Sequence, residues 1–264
     1  MDRRSDRSTL VERIELPLGF LVERRLGELL NDPVEGLLCI GRFAGLAVGA
    51  AELVNRGKFP VALGGEHSIT PPIVEAVAAR HPGLSVLQID AHADLRDSFM
   101  GTPFNHACAM RRVLEHAPCT QVGIRSLSTE EAAAVPTLTT TLFYDWNMRR
   151  DADWVARVVD TLSETVYITI DCDAFDPAIM PAVGTPEPGG LSWYEALALL
   201  RRVIESRRLV GCDIVELCPM PGNVSPNFLC AKLLYKILSY RFGSEIGNTK
   251  VTKDTKVTKD HKGH

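Results

Sequence analysis

The sequence has 264 residues, of which 45% are hydrophobic and 23% charged, and its formal net charge is −4. This composition is typical of a globular protein with a substantial core, and the mildly acidic balance argues against a nucleic-acid-binding protein, which would carry a basic stripe. No stretch reaches the roughly 18 apolar residues that span a bilayer, and the N-terminus lacks the apolar core of a signal peptide. The seven cysteines show no CxxC spacing, so we expect reduced thiols and a cytoplasmic location.

From residue 59 onward, short apolar runs alternate with amphipathic segments. The runs are rich in β-branched residues and nearly continuous in apolar character, which is typical of strands buried on both faces. We predict strands at 59–63, 84–89, 120–124, 141–145, 165–170 and 209–217. Helices are predicted at 42–57, 69–80, 104–116, 151–163, 191–206 and 226–241. This alternation predicts a three-layer α-β-α fold around a mostly parallel sheet.

The two ends of the chain do not share this pattern. Residues 1–40 are charged and contain no convincing strand, so we interpret them as a divergent N-terminal segment. The hexapeptide TKVTKD occurs twice in tandem at 249–260, and the composition of residues 243–264 predicts a disordered polar tail. We expect the two histidines of this tail, His261 and His264, to be solvated.

Three polar segments directly follow predicted strands. They contain six acidic or imidazole side chains: His67 in LGGEHS, Asp90, His92 and Asp94 in QIDAHADLR, and Asp171 and Asp173 in ITIDCDAFDP. The carboxyl ends of parallel strands meet in one crevice, and alternate residues of an extended chain point the same way. A single aspartate or histidine at a strand end is usually a cap or turn residue, but three such segments together predict one shared site.

Four carboxylates in one crevice repel one another, and their burial is costly unless cations neutralise them. A single divalent ion would leave a large negative charge, whereas two ions nearly balance four aspartates. Carboxylate and imidazole donors without cysteine favour hard or borderline ions such as Mn²⁺ over structural Zn²⁺. Two neighbouring ions can share a water and lower its pKa toward neutrality. We therefore predict two Mn²⁺ per chain and hydrolytic chemistry.

The motifs resemble those of the arginase–agmatinase (ureohydrolase) family, most closely its agmatinase branch. The resemblance covers about residues 57–242 and includes NHA at 105–107, QVGIRS, GTPEPGG and DIVELCP. It implies an arginase-like fold with a catalytic domain at 41–242. It also implies two manganese sites, one formed by His67, Asp90, Asp94 and Asp171 and the other by Asp90, His92, Asp171 and Asp173. In such enzymes His106 would relay a proton near the substrate, and Glu216 would hold the guanidinium group.

The resemblance implies hydrolysis of a small cationic guanidino substrate, agmatine, to putrescine and urea, a reaction of polyamine biosynthesis. N1-aminopropylagmatine, guanidinobutyrate, arginine and formiminoglutamate are alternative substrates, because one sequence does not reveal the pocket for the substrate tail. From other functional classes, the alternatives are a catalytically inactive member that acts as a binding partner and a structural or storage metal protein. The resemblance also implies a trimer or hexamer, with neither nucleic acid nor membrane as a partner.

Two differences from the family pattern concern the N-terminal region and the TKVTKD tail, which is not a family feature. Family members carry an early strand and a Gly-Pro-rich stretch before the GGEHS segment, and we find neither in residues 1–40. We therefore expect the N-terminal strand of the sheet to be missing or altered. For Arg125, in the matching motif QVGIRS, we expect a structural ion pair, and a contact with substrate or with a neighbouring subunit is the alternative.

Overall fold

The computed structural model describes the backbone of residues 35–247 and the side chains of residues 45–243. The predictions for an altered N-terminal strand before residue 35 and for the disordered tail with the TKVTKD repeat lie outside the described residues. Among the described helices, none is long and apolar enough to cross a membrane.

The described strands form one six-stranded parallel sheet. They are β1 (Val61–Leu63), β2 (Leu84–Ile89), β3 (Cys119–Ile124), β4 (Thr140–Tyr144), β5 (Thr165–Asp171) and β6 (Arg208–Val215). Their order in the sheet is β1-β6-β5-β2-β3-β4, and every neighbouring pair is parallel. The central strands β2, β3 and β5 are buried along their whole length, whereas β1 and β4 at the two edges are partly exposed. The six predicted strands are confirmed to within one or two residues at each end.

Eight α-helices connect or flank the strands in the described part of the chain. They are α1 (Glu35–Asn55), α2 (Thr70–Arg80), α3 (Ala109–Val113), α4 (Thr129–Ala134), α5 (Asp145–Met148), α6 (Trp154–Thr161), α7 (Trp193–Ser206) and α8 (Ser225–Gly247). The prediction of one helix over 104–116 was wrong, because a 3-10 turn at His106–Cys108 precedes a short α3. The short helices α4 and α5 were not predicted.

The helices form two layers, one on each face of the sheet. On one face, α1, α2 and α3 contribute Val54, Val77 and Val113 to a core that includes β2 residues. On the other face, α6, α7 and α8 contribute side chains such as Leu199 and Leu233. The predicted three-layer α-β-α architecture is therefore confirmed.

The strand order places two functional strand ends side by side. From β2 the chain moves outward through β3 to β4, then returns across the sheet to β5 and continues to β6. β2 and β5 are hydrogen-bonded neighbours, and the direction of winding reverses between them. Ligands of open parallel sheets bind beyond the carboxyl ends of the strands at such a reversal, and the QIDAHADLR and ITIDCDAFDP segments begin there.

Candidate metal centre

The first group of predicted ligands surrounds His67, which is fully buried. Its Nδ1 lies 3.2 Å from an Asp90 carboxylate oxygen, 3.0 Å from one of Asp94 and 3.4 Å from one of Asp171. Two glycines with positive φ, Gly64 and Gly65, precede this segment. They turn the chain sharply after β1 and bring the histidine over the ends of the neighbouring strands.

The second group surrounds His92. Its Nδ1 lies 3.0 Å from Asp173 Oδ2 and 3.7 Å from Asp90 Oδ1. Asp90 thus turns one carboxylate oxygen toward each histidine, because its Oδ2 faces His67. Donor atoms of His67, Asp90 and Asp171 lie within 4.8 Å of one another, as do those of Asp90, His92 and Asp173. The structure therefore brings all six predicted side chains together as two adjacent groups that share Asp90.

Backbone hydrogen bonds hold the two aspartate segments in place. Asp90 Oδ1 accepts from the His92 amide at 2.7 Å, and Asp171 Oδ1 accepts from the Asp173 amide at 2.9 Å. The Ala91 amide donates to Asp173 Oδ1 at 3.2 Å and ties the two segments together. Simple alternation along an extended chain does not bring Asp94 to the site, because its φ of 51° lies in the left-handed region. A turn after His92 makes that connection.

The environment of His67 fits a cation ligand. The Thr169 hydroxyl donates to Asp213 at 2.5 Å, so it can only accept from His67 Nε2, which lies 2.9 Å away. The proton on Nε2 leaves the Nδ1 lone pair directed at the carboxylates. Nδ1 is buried, and none of the three nearby oxygens satisfies the geometry of a hydrogen bond to it. A buried imidazole nitrogen surrounded by carboxylate oxygens, with its other nitrogen bound to an orienting partner, is typical of a metal ligand.

The pKa values show how strongly this cluster needs positive charge. Burial raises the pKa of Asp90 to about 8, and the nearby charges of Asp173 and Asp94 contribute to the rise. Burial, together with the nearby charges of Asp90 and Asp173, also raises the pKa of Asp171 well above its usual value. Burial alone would lower the pKa of His67, but the facing carboxylates outweigh it and raise the pKa. Divalent cations would take the place of the protons that the cluster otherwise holds.

A cavity of about 480 Å³ opens beside the cluster and is lined by His92, Asp94 and Asp171 together with His106 and Glu216. This volume lies in the range of small-molecule sites, about 300–1,000 Å³. Glu216 follows β6 in a left-handed conformation with φ of 62° and accepts a hydrogen bond from the His67 amide at 2.7 Å. Burial raises the pKa of the Glu216 carboxyl. Both residues that the resemblance assigned to substrate chemistry therefore reach the same cavity as the cluster.

Arg125 holds the GTPEPGG loop against the cluster. Its guanidinium donates to the carbonyl oxygens of Asp173 at 2.7 Å, Glu187 at 3.0 Å and Pro188 at 3.1 Å. The expectation of an ion pair at Arg125 was wrong, since its hydrogen-bond partners are backbone carbonyls. Gly190 in this loop has a φ of 107°, and a Cβ there would lie 2.8 Å from the Ala174 carbonyl oxygen. The close approach of loop and cluster therefore requires glycine at this position.

Sequence reasoning missed the polar residues inside the strands below the cluster. Gln88 Nε2 donates to Asp90 Oδ2 at 2.6 Å and to the His92 carbonyl at 3.2 Å. Gln121 in β3 donates in turn to Gln88 and to the Ala93 carbonyl. Gln88 and Gln121 are fully buried in otherwise apolar strands. A polar residue in the middle of an apolar run was the available signal, because a buried amide requires hydrogen-bond partners.

Comparison with known proteins agrees with this geometry. The model of the Arginase family matches residues 39–239. The chain is 44% identical over 195 residues to an N(1)-aminopropylagmatine ureohydrolase from Synechocystis sp., covering 73% of this chain and 64% of that protein. It is 37% identical over 188 residues to an agmatinase from Pyrococcus horikoshii, covering 70% of this chain and 64% of that protein. The chain thus spans just under two thirds of the length of both relatives.

Among solved structures, the fold is similar to that of the agmatine ureohydrolase of Thermoplasma volcanium. The TM-score is 0.71 at 34% sequence identity, and the match covers 78% of this chain and 71% of that chain. The family match extends over most of the chain and includes all three segments that carry the clustered aspartates and histidines. On these grounds the chain belongs to the arginase family.

Proposed function

We propose that this chain is a binuclear manganese hydrolase that cleaves the guanidinium group of a linear guanidino amine and releases urea. The observation that carries the proposal is the pair of adjacent ligand groups sharing Asp90 beside a cavity that His106 and Glu216 also line. Four carboxylates in such a position are tolerated when cations neutralise them. The oxygen-rich donor set with two imidazoles and without cysteine suits Mn²⁺.

The residues of the site would have separate roles in binding the ions and in binding the substrate. One ion would be held by His67, Asp90, Asp94 and Asp171 and the other by Asp90, His92, Asp171 and Asp173. When bound, two such cations supply a water of lowered pKa as the nucleophile. The Glu216 carboxylate can accept from two N–H groups of a planar guanidinium at once. It thereby positions the central carbon for attack and replaces a random encounter by an oriented one.

The leaving amine needs a proton to depart. His106 lines the cavity and can donate that proton as a general acid. Its hydrogen bond with Glu66 raises the pKa of His106, although burial opposes this, so its protonated form is favoured nearer to neutral pH. The products are urea and the free amine. A cationic substrate is suited to a cavity that contains several carboxylates, because opposite charge raises its local concentration.

Agmatine is the substrate that the motifs favour, with putrescine as the second product. N1-aminopropylagmatine is the second candidate, because the relative from Synechocystis sp. bears that name and is 44% identical. Both are linear, cationic and contain a terminal guanidinium group, so the same Glu216 contact serves either. A role in polyamine biosynthesis, a cytoplasmic location and a trimeric or hexameric assembly belong to the same proposal.

A product-release screen tests the proposal. The purified protein is dialysed, reloaded with Mn²⁺ and incubated with agmatine, N1-aminopropylagmatine, guanidinobutyrate and arginine, and urea is measured. Formiminoglutamate is included with formamide as the measured product. We expect the highest kcat/KM with one of the two polyamine-type substrates. If no substrate yields product while manganese is bound, the chain is a catalytically inactive member of the family.

A further inference from the structure

Glu66 and His106 form a close side-chain pair at the edge of the cavity. Glu66 Oε1 lies 2.6 Å from His106 Nδ1, and the same oxygen accepts from the His106 amide at 3.4 Å. The other oxygen of Glu66 accepts from the Ser68 hydroxyl at 2.5 Å. The carboxylate is therefore fixed at both oxygens, and its hydrogen bond fixes one ring nitrogen of His106.

The His106 ring also makes an aromatic contact. Phe99 packs edge-to-face against it with 6.0 Å between the ring centroids, and the Arg96 guanidinium lies 4.6 Å from the centroid of Phe99. Rotating the imidazole by half a turn would break the bond to Glu66, because it would place Cδ2 where Nδ1 now lies. With Nδ1 bound to Glu66, Nε2 is the ring nitrogen left for a ligand. His106 is among the residues that line the cavity, and Glu66 is not.

We infer that Glu66 is a positioning residue that accepts a hydrogen bond from the Nδ1–H of His106 and so makes Nε2 the atom that donates a proton to the leaving amine. This inference rests on the proposed function. In other hydrolases a carboxylate likewise holds the catalytic imidazole in one tautomer and one orientation. Because a neutral imidazole carries one proton, fixing it on Nδ1 leaves Nε2 free to receive a proton and pass it on.

The position of Glu66 in the chain adds a second constraint. It directly precedes His67, whose Nδ1 faces the carboxylates of the metal centre. One short turn after β1 thus presents a metal ligand and, through Glu66, holds the proton donor. The spacing between this metal ligand and the proton donor is then set by adjacent residues of one turn, which favours a fixed geometry for the reacting groups.

Steady-state kinetics of three variants test the role of Glu66. We expect Glu66→Ala to lower kcat by about 10- to 100-fold, since a small misplacement of a reacting group costs on this order. KM should stay within about twofold, since Glu66 does not line the cavity and the contact with the guanidinium is assigned to Glu216. Glu66→Gln should recover most of kcat, because its amide oxygen still accepts from Nδ1–H. Glu75→Ala, at an exposed glutamate on α2, is the matched control and should leave kcat and the manganese content unchanged.

Nitrogen NMR of protein with ¹⁵N-labelled histidine, loaded with diamagnetic Mg²⁺, gives a readout that is independent of activity. His106→Gln identifies the His106 signals. We expect a protonated Nδ1 in the wild-type protein and in Glu66→Ala a loss of this preference. The inference is overturned if Nδ1 of wild-type His106 carries no proton, or if Glu66→Ala keeps the wild-type tautomer or the wild-type kcat. Absence of any hydrolysis by the wild-type protein would instead refute the proposed function, and the NMR result would still decide the role of Glu66.

Discussion

Replacing Thr169 by valine removes one hydroxyl that orients His67. The Thr169 Oγ1 lies 2.9 Å from His67 Nε2 and donates to Asp213 at 2.5 Å, and all three side chains are buried. In Thr169→Val the Nε2–H has no acceptor, and an unsatisfied buried donor costs about 1–3 kcal/mol. Asp213 retains hydrogen bonds from Thr70 at 3.1 Å and Tyr167 at 2.8 Å, so its position is largely maintained.

The expected consequence is a lower affinity for the ion beside His67. Loss of a partner that orients a metal ligand typically lowers metal affinity by about 10- to 100-fold, which corresponds to about 1.4–2.8 kcal/mol. This agrees with the cost of the unsatisfied donor. Calorimetric titration of Mn²⁺ into metal-free protein measures the effect directly as a change in Kd for one of the two ions.

Thr120→Val is the matched control, because it removes a buried threonine hydroxyl from the neighbouring part of the sheet without touching the cluster. Thr120 Oγ1 bonds Thr161 Oγ1 at 2.8 Å. We expect this control to lose stability in thermal unfolding and to keep the wild-type affinity for Mn²⁺. If Thr169→Val binds both ions as tightly as the wild-type protein, or if both variants weaken binding equally, the proposed orientation of His67 is refuted.

Three further predictions concern the metal ligands, the substrate contact and pH. Asp173→Asn should reduce bound manganese from about two ions per chain to about one and abolish most urea release, as measured by metal analysis and product assay; unchanged rates would exclude this carboxylate from the site. Glu216→Gln should raise KM by about 10- to 150-fold, since hydrogen bonds to a charged group contribute about 1.5–3 kcal/mol. An unchanged KM in steady-state kinetics would exclude the contact between Glu216 and the guanidinium group. The pKa of Asp90 is raised from 3.8 to about 8 in the folded protein. Between these two pH values the metal-free folded state therefore binds more protons than the unfolded state, and its stability falls as pH rises. Calorimetry should therefore show a larger gain in Tm on adding Mn²⁺ at about pH 8.5 than at about pH 6, and an equal gain at both would contradict the raised pKa.

The fold could be predicted from the sequence wherever a segment was long enough to show a period. β2, β3 and β5 are nearly continuous apolar runs, and α7 begins with a capping box at Ser192 and Glu195 that marks its first turn. The helices α4 and α5 are six and four residues long, too short for an apolar stripe to repeat. The predicted length of the helix at α3 was too great for a related reason, because the apolar residues of this region belong partly to a 3-10 turn and partly to a short helix.

The convergence of the aspartate and histidine segments could also be predicted, since parallel strands end at one edge of the sheet. The local backbone that completes the site could not. Asp94 and Glu216 both adopt a positive φ, which reasoning from extended chains does not anticipate and which few residues other than glycine adopt. The partners of His67 likewise lie in strand interiors, where Thr169 and Asp213 look like isolated polar interruptions. Only the sheet register, which pairs Thr169 with Asp213, shows that they are neighbours.

The central claim is that six side chains from three strand ends hold two cations in one site. Anomalous diffraction from crystals of the manganese-loaded protein tests it most directly. We predict two manganese peaks about 3.5–4 Å apart, as in other two-metal hydrolytic sites, with one peak beside His67 Nδ1, the other beside His92 Nδ1, and Asp90 between them. A single peak, or manganese bound elsewhere in the protein, would contradict the proposed site and the reaction that depends on it.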